Sequence, residues 1–215
     1  MRLRIFNCSP KGRSSNSRVI SGAFTRGFCE LPGNEAEEFL VAREKDMEKG
    51  LASFGEAGVN LVVFPVYVDA MPGLAKQFIE RLAPLKGRLS DTRLLFLVHT
   101  GFPEETHTRP MERYLNKLAV RLGANLDGVI RLGGGKGIKS SDSHQKNKAL
   151  DELTCLGRIY AVDGKLDARI MGRLAGPSRI PMLIARVMFP IVNYFGFGRE
   201  LRKNGAWERR FDRPL

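Results

Sequence analysis

Two continuous apolar runs, each followed by a helical pattern, constrain this chain more than any other feature. Residues 60–64 (NLVVF) and 93–98 (RLLFLV) lack the polar alternation of a half-exposed strand, as strands covered on both faces do. After the first run, Leu74, Phe78, Ile79 and Leu82 make one helical face, with Pro72 in the opening turn and Gly87 just beyond its end. After the second, Met111, Tyr114, Leu115, Leu118 and Leu122 make another, stopped by Gly123. Residues 2–8 (RLRIFNC) read as an opening strand ahead of a helix over 18–28. Residues 35–42 (EAEEFLVA) read as a short second strand ahead of a helix over 45–57 stopped by Gly58, and 127–132 (DGVIRL) as a fifth strand. Strands alternating with helices predict an α/β fold on a parallel sheet with helices on both faces. Ligands of such sheets bind beyond the carboxyl ends of the strands, where strand order reverses, so function is expected in the loops that follow strands.

The loop after the first strand, residues 9–17 (SPKGRSSNS), is built of small hydroxyls, one amide, the cations Lys11 and Arg13, and Gly12. Donors of this kind beside a helix start suit a phosphate. The same composition also serves a plain polar connection whose helix is capped by Ser15 or Asn16. The loop after the third strand runs Pro65, Val66, Tyr67, Val68, Asp69, Ala70, Met71, Pro72, Gly73. Its aromatic, thioether and aliphatic groups stand where a polar turn is the norm. They fit a flat apolar ring, or equally a neighbouring loop or another subunit. The loop after the fourth strand opens His99, Thr100, Gly101, Phe102; Gly101 allows close backbone approach and Thr100 offers a hydrogen bond.

Taken together these loops resemble those of the flavodoxin-like NAD(P)H-dependent FMN oxidoreductases, the superfamily of FMN reductases and quinone-reductase-like flavoproteins. The resemblance rests on Cys8-Ser9-Pro10-Lys11-Gly12-Arg13-Ser14-Ser15-Asn16-Ser17, on Pro65-Val66-Tyr67, on Met71-Pro72-Gly73 with Lys76-Gln77-Phe78-Ile79-Glu80-Arg81, and on Thr100-Gly101-Phe102. It covers about residues 1–135, and Lys203-Asn204-Gly205-Ala206 is similar to the tail of longer members. It implies a doubly wound five-stranded parallel sheet in the order 2-1-3-4-5. It also implies non-covalent FMN, with NADH or NADPH as co-substrate. Ser9, Lys11, Ser15, Asn16 and Ser17 would hold the FMN phosphate. Pro65, Val66, Tyr67, Val68, Met71, Pro72 and Gly73 would line the isoalloxazine, and Thr100, Gly101 and Phe102 would cover its other side. The implied reaction passes a hydride from the nicotinamide through the flavin to a quinone, nitro compound, flavin or similar small-molecule acceptor. Tyr67 is the one candidate for a catalytic side chain, as a hydrogen-bond donor near the acceptor; a role only as pocket wall stays open. A homodimer is also implied. Two positions depart from the family pattern: Cys8 stands in place of the usual glycine, and Lys11 where arginine is common, which keeps the charge but loses the bidentate fork. The alternative from another class is a non-catalytic FMN protein, an electron carrier or redox sensor. Such carriers are usually acidic.

This chain instead carries a formal charge of +12 over 215 residues. No helix-turn-helix, zinc-finger or aromatic-basic signature accompanies the charge, so nucleic acid is not an expected partner. Cys8, Cys29 and Cys155 are scattered and odd in number, which fits a reducing, cytoplasmic setting; no signal peptide is expected. His107 and His144 lack metal-ligand spacing, and no metal or iron–sulfur centre is expected. Gly133-Gly134-Gly135-Lys136-Gly137 fails the phosphate-loop spacing and reads as a flexible loop after the fifth strand, with a place at the site mouth as the lesser alternative. The expected division is a flavin-binding domain over 1–176 and a basic, apolar, helical extension over 177–215, which holds eight Lys/Arg against three Asp/Glu. Its residues 180–197 (IPMLIARVMFPIVNYFGF) approach the length of a membrane span, but Arg186 and Pro190 interrupt them. Packing on the domain or across a dimer, peripheral membrane contact through 180–203, and a span are the three readings.

Overall fold

Five parallel strands form one sheet in the order β2-β1-β3-β4-β5 in the computed structural model, which describes residues 1–135, 138 and 144–212. The strands are β1 (Arg2–Asn7), β2 (Glu35–Leu40), β3 (Gly58–Pro65), β4 (Thr92–His99) and β5 (Asn125–Leu132). The helices of the first unit are α1 (Asn16–Cys29), α2 (Glu44–Ser53), α3 (Gly73–Arg81), α4 (Arg109–Leu122), α5 (His144–Asp163) and α6 (Ala168–Ala175). By internal contacts the chain divides into two units, Met1–Ser178 and Arg179–Leu215.

The sheet order is the one expected, and it puts β1 between β2 and β3, with Asn7 opposite both Leu40 and Val63. Strand order reverses there, the place where sheets of this topology open a ligand crevice beyond the carboxyl ends of their strands. Two apolar cores cover the sheet. On one face Phe24, Phe28, Leu153, Leu156, Tyr160 and Leu174 bring α1, α5 and α6 onto Leu61, Leu97 and Ile130. On the other, Phe6 packs against Phe39, Phe54 and Phe78 with ring centroids 4.9–5.4 Å apart. Both faces of the central strands are therefore buried, which is why their sequence runs apolar without alternation.

Three local expectations need correction. The second helix stops at Ser53 rather than running to Gly58, because Phe54 turns into the aromatic cluster and Asn60 Nδ2 donates to the Phe54 carbonyl at 2.7 Å. Gly58, expected as the helix stop, instead opens β3 at φ 135°. The first helix begins two residues earlier than expected, at Asn16, with Ser15 as its cap. The sequence reading assigned no element between β5 and the C-terminal extension, yet Leu150, Leu153, Leu156, Ile159 and Tyr160 recur at helical spacing and settle α5 on α1. Lys136 and Gly137 of the glycine-rich loop lie outside the described residues.

Candidate functional site

The loop after β1 is organised by a buried amide. Asn7 ends the strand; its Oδ1 accepts from the Ser9 backbone N–H (3.2 Å), while its Nδ2 donates to Ser15 Oγ (3.3 Å) and Glu38 Oε1 (3.2 Å). The chain then makes a tight turn over Gly12–Ser14, in which Gly12 has φ 48° and its N–H bonds the Ser9 carbonyl at 3.0 Å. Ser15 caps α1 by accepting from the Arg18 N–H at 3.2 Å. Ser17 Oγ and His99 Nε2 share a buried hydrogen bond of 2.8 Å. Asn16 Nδ2 donates to the Gly135 carbonyl at 2.9 Å and so ties the start of α1 to the loop after β5.

Of the five residues expected at a phosphate, Ser9, Ser15 and Ser17 are therefore buried, Asn16 is half-buried and Lys11 is exposed. The donors that the helix start leaves are the Asn16 and Ser17 backbone N–H groups, which as first-turn residues have no intrahelical acceptor. Lys11, Arg13 and Arg18 add exposed positive charge, with Arg18 also 3.0 Å from Glu38. This donor set, a helix start among cations, fits a phosphate dianion.

The wall after β3 has an unusual backbone. Tyr67 and Ala70 exchange two backbone hydrogen bonds (2.8 and 3.1 Å), and the residues between them, Val68 and Asp69, sit at φ 48° and 63°. A two-residue turn with both centres left-handed is ordinarily built from Asn and Gly; a β-branched valine there is strained, at a cost of about 1–3 kcal/mol. Val68 is 91% exposed and Tyr67 is half-exposed. The turn is held from the next loop: His107 Nδ1 lies 2.7 Å from Asp69 Oδ1, and the same imidazole stacks on Phe102 with centroids 4.5 Å apart. Phe102 is itself half-exposed, so Tyr67, Val68 and Phe102 form an open apolar rim.

Beneath the rim, Pro65, Val66, Pro72 and Thr100 are buried, while Met71 is partly covered. Thr100 Oγ1 accepts from the Phe102 N–H at 3.3 Å, and its carbonyl accepts from the Gly135 N–H at 2.7 Å. Gly101 is exposed, and Gly73, at the start of α3, has open space where a Cβ would stand. The expected ring-site residues thus fall into two sets. Tyr67, Val68, Gly73, Gly101 and Phe102 present surface, and the others carry it.

Sequence reasoning gave no site role to Asn7, His99 or His107. Asn7 left a trace, as an amide at the end of an apolar strand. His99, at a strand end, reads from sequence as a satisfied structural histidine rather than a proton donor, but neither its partner Ser17 nor Asp69, the partner of His107, is legible, because both are distant in sequence. Burial lowers the His99 pKa from 6.5 to about 4, so the ring is neutral at pH 7. Burial likewise pushes the Cys8 thiol up, out of reach of thiolate chemistry. Among the described residues no three His, Cys, Asp or Glu side chains are grouped to hold a metal ion.

No protein-family model matches the chain, and no curated protein sequence matches it significantly. Solved structures do. An NAD(P)H:quinone oxidoreductase from Methanothermobacter marburgensis is 18% identical, with 74% of this chain and 96% of that chain covered and a TM-score of 0.57. An FMN-dependent NADH-azoreductase from Bacillus anthracis, solved with FMN, is 16% identical over 74% of this chain and 99% of that one, with a TM-score of 0.57. An NADH:FMN oxidoreductase in its apo form is 13% identical over 85% of this chain and 98% of that one, also at 0.57. At such identities the likeness speaks for architecture: the chain has the flavodoxin-like doubly wound α/β fold that these oxidoreductases share.

Proposed function

We propose that the chain is an FMN-dependent NAD(P)H oxidoreductase that reduces a small-molecule acceptor such as a quinone, nitro compound or flavin. The observation that carries this is the meeting, at the point of strand reversal, of a cationic helix start with an open apolar rim. That pairing is the complement of a molecule with a phosphate at one end and a flat ring at the other. Lys11, Arg13 and the Asn16 and Ser17 N–H groups would hold the phosphate. Tyr67, Val68, Gly73, Gly101 and Phe102 would bound the ring, over Pro65, Val66, Met71, Pro72 and Thr100. Bound there, FMN would supply two-electron redox chemistry between NADH or NADPH and the acceptor. The protein would stack and orient, and Tyr67, half-exposed, would donate to an acceptor at the mouth. A second copy of the chain would close the mouth over the exposed Tyr67 and Phe102. The reaction belongs in the cytoplasm, where nicotinamide is supplied and the free thiols of Cys8, Cys29 and Cys155 stay reduced.

The carrier or sensor alternative predicts flavin binding without turnover. Visible spectra recorded anaerobically with FMN, then with NADPH or NADH, separate the two. Rapid bleaching by a nicotinamide is the expected result, and a bound flavin that stays oxidised would favour the carrier. The phosphate placement has its own test. Asn16→Asp puts a negative charge at a helix start but loses the Nδ2 bond to the Gly135 carbonyl, so about 1–2 kcal/mol of stability should be lost. It sets a carboxylate beside the phosphate and should weaken FMN binding about thirtyfold, from roughly 2 kcal/mol of repulsion, while riboflavin binding is unchanged. Equal losses for both ligands in a fluorescence titration would move the phosphate elsewhere.

A further inference from the structure

The second unit carries a surface that the crevice does not use. Residues 182–203 are helical throughout, as α7 (Met182–Val192), a wide turn over Asn193–Phe197 and α8 (Gly198–Lys203). No residue of α7 is buried: Met182, Leu183, Val187, Phe189 and Ile191, with Phe195 beyond the helix, are between 50% and 84% exposed. A helix that is apolar all round needs a core or lipid around it.

Charge is segregated along the unit. From 180 to 198 the only ionic residue is Arg186, and no acid occurs; Arg199, Arg202, Lys203, Arg209 and Arg210 then follow, with Glu200 and Glu208 among them. Aromatic rings are interleaved with these cations. The Arg202 guanidinium lies 4.4 Å from the Tyr194 ring centre and 4.1 Å from that of Trp207, and Arg210 lies 4.1 Å from Trp207 and 4.8 Å from Phe211.

A span does not fit. No helix among the described residues is long and apolar enough to cross a membrane, and α7 carries both Arg186 and Pro190. Its eleven residues rise about 16 Å, roughly half a hydrocarbon core. A second copy fits poorly as well. Residues 179–215 hold eight Lys/Arg against three Asp/Glu, one of which, Asp212, is 3.2 Å from Arg209, so two such units repel. An anionic bilayer surface answers both features, with acyl chains for the apolar helix and phosphates for the arginines.

We propose that residues 182–211 form an interfacial anchor that lies in the surface of an anionic lipid bilayer, with α7 at the acyl boundary and Arg199, Arg202, Lys203, Arg209 and Arg210 among the lipid phosphates. Tyr194 and Trp207 sit at headgroup level, where amphipathic rings concentrate. The anchor needs no flavin, so it stands or falls apart from the redox reading.

The test is flotation of the full chain with phosphatidylcholine vesicles, with and without phosphatidylglycerol. Binding is expected with the anionic vesicles, at least tenfold stronger than with neutral ones and weakened by salt. At about fivefold per cation, Arg199→Gln with Lys203→Gln should lower the partition coefficient about 25-fold; both side chains are exposed, and far-UV circular dichroism should be unchanged. Trp207 is the chain's single tryptophan, so its emission reports on this unit alone. Lipids brominated near the headgroup end of their acyl chains should quench it. Equal binding to neutral vesicles overturns the proposal. So does a chain that stays in solution, as monomer or dimer, with Trp207 emission unaltered by anionic vesicles.

Discussion

Gly157→Ala, and equally Gly27→Ala, is expected to destabilise the first unit by about 3–5 kcal/mol or to prevent folding altogether. These glycines are where α1 and α5 cross. A Cβ on Gly27 would stand 1.8 Å from the Thr154 carbonyl oxygen, and one on Gly157 would stand 2.0 Å from that of Phe24. Both obstacles are backbone, so no side-chain rotation relieves the overlap and the helices must part. Parting them loosens Phe24, Phe28, Leu153, Leu156 and Tyr160, which form the core on that face of the sheet. Alanine's better helix propensity, worth about 1 kcal/mol over glycine, offsets only a fraction. Gly22→Ala and Gly172→Ala are the controls: both sit in helices with nothing within 4 Å of the added methyl, and each should stabilise by up to about 1 kcal/mol. Urea melts of the four variants check the contrast. A thermal midpoint for Gly157→Ala within about 2 °C of the parent would mean that α1 and α5 do not pack this closely.

Much of this architecture was legible because burial leaves a mark on sequence. β3 and β4 are covered on both faces, and their apolar runs put them within two residues of their observed ends. The end of α2 was not legible, since it is decided by Phe54 entering a cluster with Phe6 and Phe78 and by the side chain of Asn60 from the next strand. The tight crossing of α1 and α5 was equally hidden: Gly27 and Gly157 read as poor helix residues until their partners are seen. At the loops after β1, β3 and β4, residue types suggested the proposed chemistry but not the direction of the side chains. Ser15 and Ser17 were expected to face a ligand, yet the helix starts at Asn16. That start makes Ser15 a cap and turns the Ser17 hydroxyl to His99. The strained turn at Val68 and Asp69 was invisible for a similar reason, since nothing in the local sequence announces that His107 will hold it.

His99 gives the second large effect, and its sign follows from its burial. The unfolded ring titrates at 6.5 and the folded one at about 4, so between these values the unfolded chain binds more protons. Stability is therefore complete above pH 6.5, falls as pH drops towards 4, and levels below it; the full loss is roughly 3 kcal/mol. Carboxylates held below their ordinary range by arginine partners, Glu30 by Arg158, Glu48 by Arg81 and Glu105 by Arg109, lose stability only under about pH 4.5, so the window above belongs to the histidine. Protonation also acts on the crevice. His99 holds Ser17 at the start of α1 through its Nε2, and its carbonyl accepts from the Val66 N–H at 2.7 Å, so one residue braces the loops after β1 and β3 together. Flavin affinity should accordingly fall with stability as pH drops below 6.5. His99→Gln keeps a hydrogen-bonding group without a titration. Its urea midpoint should be flat between pH 4.5 and 6.5, where that of the parent declines. Parallel slopes in the two proteins would place the titration on another group.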